Sequence, residues 1–122
     1  MRKKIAIIDD EREILIVLER FLSRSEKFDI EVFIDPIIGF NAVKSGSYDL
    51  ILLDIMMPKI SGINILEDVR KIQQDIKVIM MTAYSTMDKV IDSNKLGADD
   101  YVTKPFVSLR DIENKILDNL GL

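Results

Sequence analysis

The chain reads as an α/β domain, a five-stranded parallel sheet with five helices divided between its two faces. Two observations predict this. Short aliphatic runs, "IAII", "LILL" and "VIMM", recur between longer stretches whose apolar residues fall at helical spacing. None of those runs alternates with polar residues, which marks strands covered on both faces. Strands alternating with helices wind into a parallel sheet through right-handed crossovers, giving a doubly wound three-layer sandwich. At 122 residues, 48% of them apolar, the chain suits one compact domain, residues 1–122.

Residues 5–8 form the first strand, which stops at Asp9-Asp10. From Glu11 to Ser25, Ile14, Leu15, Leu18, Phe21 and Leu22 make one apolar helical face. "FDIEVFI", 28–34, alternates as a second strand. Asp35 then supplies a helix cap and Pro36 the first helical position, for a helix ending near Ser45. After the turn "SGSYD", residues 50–53 are the third strand, and a loop through Pro58 leads to a helix carrying Ile65, Leu66, Val69 and Ile72. Residues 78–81 form the fourth strand, ending at Thr82, and Ser85 with Asp88 has capping-box spacing for a helix to Leu96, closed by Gly97. "YVT", 101–103, is a short fifth strand, and Ser108 with Asp111 opens a last helix to Leu120. No linker, internal repeat or low-complexity segment interrupts the rhythm.

Composition narrows the chemistry. The formal charge of −4 comes from 17 basic and 21 acidic residues spread along the chain, so no basic stripe presents itself to nucleic acid. No apolar run reaches membrane-spanning length, and the basic start meets Asp9-Asp10 before a signal sequence could form, so a soluble, cytoplasmic protein is expected. Cysteine and histidine are absent, which removes disulfides, thiolate or imidazole metal sites and histidine acid–base catalysis. What remains is carboxylates, hydroxyls, lysine, backbone amides and a hard cation.

In a doubly wound sheet the carboxyl ends of all strands share one edge, and ligands bind there. The predicted strands end at Asp9-Asp10, Asp54, Thr82 and Thr103-Lys104, so the topology brings three carboxylates, hydroxyls and an ammonium together. Carboxylates crowded in this way need a counter-charge to stay ionised. Lys104 supplies part of it, and with oxygen ligands only, Mg²⁺ suits the rest, Mn²⁺ being a possible substitute. A cation on one side, with Lys104 and the Thr82 hydroxyl on the other, makes a receptor for a transferring phosphoryl group, and Asp54 is the oxygen nucleophile.

Four segments, "IIDDE" (7–11), "LLDIMMPKISG" (52–62), "MTAYS" (81–85) and "GADDYVTKPF" (97–106), resemble the receiver domain of two-component response regulators over essentially the whole chain. The resemblance implies a CheY-like, flavodoxin-like sheet of order 2-1-3-4-5. It implies that Asp54 accepts phosphate from a histidine on a sensor kinase or histidine phosphotransfer protein, and that the phosphorylated domain then acts on an output domain or protein. Asp10 and Asp54 would hold Mg²⁺ directly, with the Met56 carbonyl as a third ligand and Asp9 acting mainly through water. Lys104 would pair first with the site carboxylates and then with the phosphoryl group. Thr82 and Tyr101 would be the switch pair, and the fourth helix, fifth strand and last helix the surface that changes. Lys104-Pro105 would be cis. The protein would catalyse only its own phosphotransfer and slow dephosphorylation, as a monomer or weak dimer.

Met56 and Tyr84 occupy the places that border the path of hydrolytic water in the family. Neither is a water-orienting acid or amide, so a long-lived phospho-Asp54 is expected. The last helix lacks the arginine-rich pattern of receivers that dimerise in the winged-helix transcription-factor group, and "MTAYS" looks more like single-domain phosphorelay proteins and receivers of enhancer-binding activators. Two rivals share part of the pattern. A haloacid dehalogenase-type phosphatase wants a second acid where Met56 stands, and a flavodoxin-like flavin carrier wants Gly, Ser and Thr amides where "DDERE" stands.

Overall fold

The computed structural model describes residues 2–73, 75–83 and 97–122. In chain order these form β1 (Lys3–Ile8), α1 (Arg12–Leu22), β2 (Phe28–Phe33), α2 (Pro36–Ser45), β3 (Leu50–Asp54), α3 (Gly62–Ile72), β4 (Lys77–Ala83), β5 (Asp100–Lys104) and α4 (Leu109–Leu120). The five strands lie in one parallel sheet of order β2-β1-β3-β4-β5. Four helices are found among the described residues. The helix expected from Ser85 to Leu96 lies outside them.

Because both faces are covered, successive residues of one strand enter different cores. Ile5, Ile7, Leu50, Leu52, Ile79 and Met81 join α1 and α4, where Leu15, Leu18, Leu22, Ile112 and Ile116 meet them. Ala6, Ile8, Ile51, Leu53, Val78 and Met80 face α2 and α3, which contribute Val43, Ile65, Leu66 and Val69. β3 is buried along its whole length, so the strand that ends in Asp54 is held from both sides and by two neighbouring strands.

Local chemistry sets the element ends. Asp35 Oδ1 accepts from the Ile37 and Ile38 amides at 2.9 and 3.2 Å, with Pro36 at the first helical position, as the sequence predicts. Ser61 caps α3 through the Ile63 amide, and Ser108 accepts from the Asp111 amide at the head of α4. Glu11 precedes α1 and makes no side-chain cap. α1 ends at Leu22 rather than Ser25, because residues 23–25 turn and their amides bond back to Glu19, Phe21 and Leu22 carbonyls. β1 begins two residues before the aliphatic run, since Lys3 and Lys4 pair with Phe28 and Asp29.

Gly62 is required by contact. A Cβ there would stand 2.0 Å from the Asp54 carbonyl oxygen. The start of α3 therefore rests directly on the backbone that carries Asp54.

Candidate functional site

The carboxyl ends of β1, β3, β4 and β5 converge as the topology requires. Asp9 follows β1, Asp54 closes β3, Thr82 lies near the end of β4 and Lys104 closes β5. Thr82 stands opposite Thr103 in the ladder and Ala83 opposite Lys104, so the fifth strand delivers its lysine beside the fourth strand's hydroxyl.

Lys104 is the centre of the cluster. Its ammonium lies 2.6 Å from Asp9 Oδ2, 2.9 Å from Glu11 Oε1 and 3.4 Å from Asp54 Oδ2. Asp9 is 0% and Asp54 4% exposed, so both charges sit away from bulk water. Asp9 Oδ1 accepts the Glu11 amide at 2.8 Å, and Asp54 Oδ1 faces the Met56 amide at 3.4 Å. Thr82 is buried and its hydroxyl donates to the Ala83 carbonyl at 3.1 Å.

The electrostatics follow from burial. Burial, then repulsion from Asp9, pushes the Asp54 pKa up to about 7 against the opposing pull of Lys104. Burial also raises Asp9 above the ordinary carboxylate range, although Lys104 and the Glu11 amide work the other way. Burial acts against the Lys104 ammonium, but contacts with Asp9 and Glu11 and the charge of Asp54 outweigh it and raise its pKa. One ammonium thus shares three carboxylates, and the site carries excess negative charge when all are ionised.

That excess fits a hard divalent cation. Asp9, Glu11 and Asp54 can each offer an oxygen within 4.8 Å of the others. Asp9 Oδ2 is fully buried against the Lys104 ammonium at 2.6 Å, and its second lone pair is left for a cation or its water.

The sequence-predicted residues divide by position. Asp9, Asp54, Thr82 and Lys104 gather at the site. Asp10 is half-buried and stands outside the group of three carboxylates, while Glu11, to which the sequence reading assigned no role, stands inside it. The signal for Glu11 was present as the third acid of "DDE", at a position where a helix cap of Ser, Thr, Asp or Asn is usual. The Met56 side chain points to solvent, 53% exposed. Tyr101 is half-buried and packs against the α3-side core, with Lys115 donating to its carbonyl. Lys104-Pro105 is cis, as the resemblance implies. Tyr84 lies outside the described residues.

The comparisons with known proteins agree with this geometry. The family model for the response regulator receiver domain matches residues 5–117. Transcriptional regulatory protein RprY of Bacteroides fragilis is 33% identical over 103 residues, covering 84% of this chain and 43% of that protein. Regulatory protein VanRc of Enterococcus gallinarum is 39% identical over 106 residues, covering 87% and 45%. The chain therefore spans less than half the length of these curated relatives. A CheY-like response regulator receiver domain protein from Methanospirillum hungatei superposes with a TM-score of 0.92 at 31% identity, covering 99% of this chain and 95% of that one. Response regulator DrrB of Thermotoga maritima, described as an OmpR/PhoB homologue, gives 0.88 at 28% identity, covering 99% and 54%. A largely buried acidic cluster whose charge one lysine offsets only in part, at the carboxyl edge of a 2-1-3-4-5 sheet, is thus found in a chain that belongs to the response regulator receiver domain family.

Proposed function

We propose that residues 1–122 form one phosphorylation-activated switch domain in which Asp54 is the phosphoacceptor. The observation that carries this reading is the Asp54 carboxylate itself: 4% exposed, at the end of a buried central strand, with Oδ2 3.4 Å from Lys104 Nζ. In the transfer, an Asp54 oxygen forms a bond to phosphorus as the bond from phosphorus to a partner's histidine nitrogen breaks. The departing imidazole retains its electron pair and takes a proton from solvent. The donor is a sensor histidine kinase or histidine phosphotransfer protein, since this chain has no histidine.

By motif position Asp10, which stands outside the group of three carboxylates in this structure, would join Asp54 and the Met56 carbonyl in holding Mg²⁺, with Asp9 reaching it through water. Mg²⁺ supplies charge neutralisation of the phosphoryl oxygens when bound. Lys104 turns from carboxylate to phosphoryl oxygen, and the Thr82 hydroxyl moves to bond another. Tyr101 turns inward behind Thr82, and the face formed by β5 and α4 passes the change to an output domain or protein. The relatives named as transcriptional regulatory proteins support transcription as that output. Because Met56 and Tyr84 occupy the chain positions that border the water path in the family and neither is a water-orienting acid or amide, we infer a phospho-Asp54 that outlasts a few seconds without a phosphatase.

Incubation with acetyl phosphate and Mg²⁺, read by intact mass, tests the assignment. One added phosphoryl group, absent in Asp54→Asn, is expected. Persistence of the added mass in that variant would refute it.

A further inference from the structure

Glu11 stands in a position that its place in the helix does not explain. It is the residue before α1, yet its side chain makes no cap hydrogen bond. Its amide donates to Asp9 Oδ1 at 2.8 Å, which ties its backbone to the floor of the site. Its carboxylate leaves the helix end and reaches Lys104, with Oε1 2.9 Å from Nζ. Of the three carboxylates around that ammonium, Asp9 and Asp54 are buried, whereas the Glu11 side chain is 56% exposed. Glu11 is the solvent-facing charge of the cluster.

We propose that Glu11 is a specificity-determining gate: it holds Lys104 at rest and repels small anionic phosphodonors arriving from solvent. The inference rests on the reading of Asp54 as phosphoacceptor. With acetyl phosphate, an Asp54 oxygen bonds to phosphorus, the bond from phosphorus to the acetyl oxygen breaks, and acetate leaves with the electron pair. The incoming group adds negative charge beside a site that already has more carboxylates than ammonium groups. Lys104 must exchange Glu11 for a phosphoryl oxygen. A protein donor can offset the repulsion with groups on its own surface, and a free small molecule cannot.

Removing Glu11 leaves Lys104 paired with Asp9 and Asp54 and removes no helix cap, so the fold survives the test. Phosphorylation is followed by intact mass in the parent protein, Glu11→Gln and Glu11→Ser. Mg²⁺ is set high enough that doubling it leaves the rate unchanged. Two donors are compared: acetyl phosphate, doubly negative at neutral pH, and phosphoramidate, which carries a smaller net charge. Both variants should react roughly three- to tenfold faster with acetyl phosphate at low ionic strength, as expected for an exposed charge a few ångströms from the phosphoryl group. The gain should be smaller with phosphoramidate and should fade as salt shortens the screening length to about 3 Å at 1 M. Unchanged rates in both folded variants, a gain confined to one of them, or a gain indifferent to salt and donor charge overturns the gate. Failure of the parent and both variants alike to take up phosphate overturns the phosphoacceptor reading instead.

Discussion

At the scale of single residues, Asp54 and Lys104 make the site a titrating device. A carboxyl whose folded pKa is raised binds a proton that the unfolded chain has already lost, so its contribution favours folding below about pH 4 and disappears as pH climbs through about 7. Unfolding curves of the parent and Asp54→Asn should therefore diverge over that interval, with the variant gaining on the parent as pH rises. By pH 8 the variant should be ahead by a few kcal/mol, on the order of 1.4 for each unit of the shift. Parallel curves from pH 4 to pH 8 would show that the carboxyl titrates normally. Lys104→Met acts in the opposite sense, because it strips the buried Asp9 and Asp54 of their cation. It should destabilise the protein by about 3 kcal/mol at pH 8, the typical loss when one partner of a buried pair is removed. Denaturant midpoints at pH 5 should show a smaller deficit as the carboxyls protonate.

At the scale of elements, the site depends on how helices meet strand ends. Gly62→Ala would drive a methyl group into the Asp54 carbonyl, where only 2.0 Å is available. Loss of about 2–4 kcal/mol is expected, in the range of an overpacked core position, together with slower phosphorylation because β3 and α3 must separate. A change in stability alone, with an unaltered phosphorylation rate, would mean that the strain relaxes away from Asp54. Asp35→Ala is the matching control at another helix start. It leaves the Ile37 and Ile38 amides without their acceptor, so melting should report about 1 kcal/mol lost and phosphorylation should be unaffected.

At the scale of the whole molecule, the cluster couples cation binding to global stability. A cation that binds only the folded chain adds RT ln(1 + [L]/Kd), about 2.7 kcal/mol at a hundredfold excess over Kd. Mg²⁺ should raise the melting temperature more at pH 8 than at pH 6, because it competes with the proton on Asp54. Chelation should reverse the rise, and Asp54→Asn should blunt it. A pH-independent rise shared by that variant would place the cation elsewhere. The sheet supplies the frame: β1, β3 and β4 are packed from both sides, whereas β5 is mostly half-buried. Full conversion of such a switch from about 1% to 99% active takes roughly 5.5 kcal/mol of differential stabilisation.

The sequence by itself determined the alternation of strands and helices, and through it the edge where Asp9, Asp54, Thr82 and Lys104 meet. Those residues were legible because Asp9, Asp54 and Thr82 directly follow aliphatic runs and Lys104 follows the short "YVT" strand, and strand ends in a parallel sheet share one side. Tertiary structure decided what adjacency in the chain cannot encode. Successive residues at a strand end point to different sides, so only the fold shows that Asp9, and not Asp10, enters the group around Lys104. Glu11 was invisible as a site residue for a related reason. Its backbone belongs to the start of a helix, and the direction of a long exposed side chain is set by the charge it finds across the fold, here an ammonium 93 positions further along.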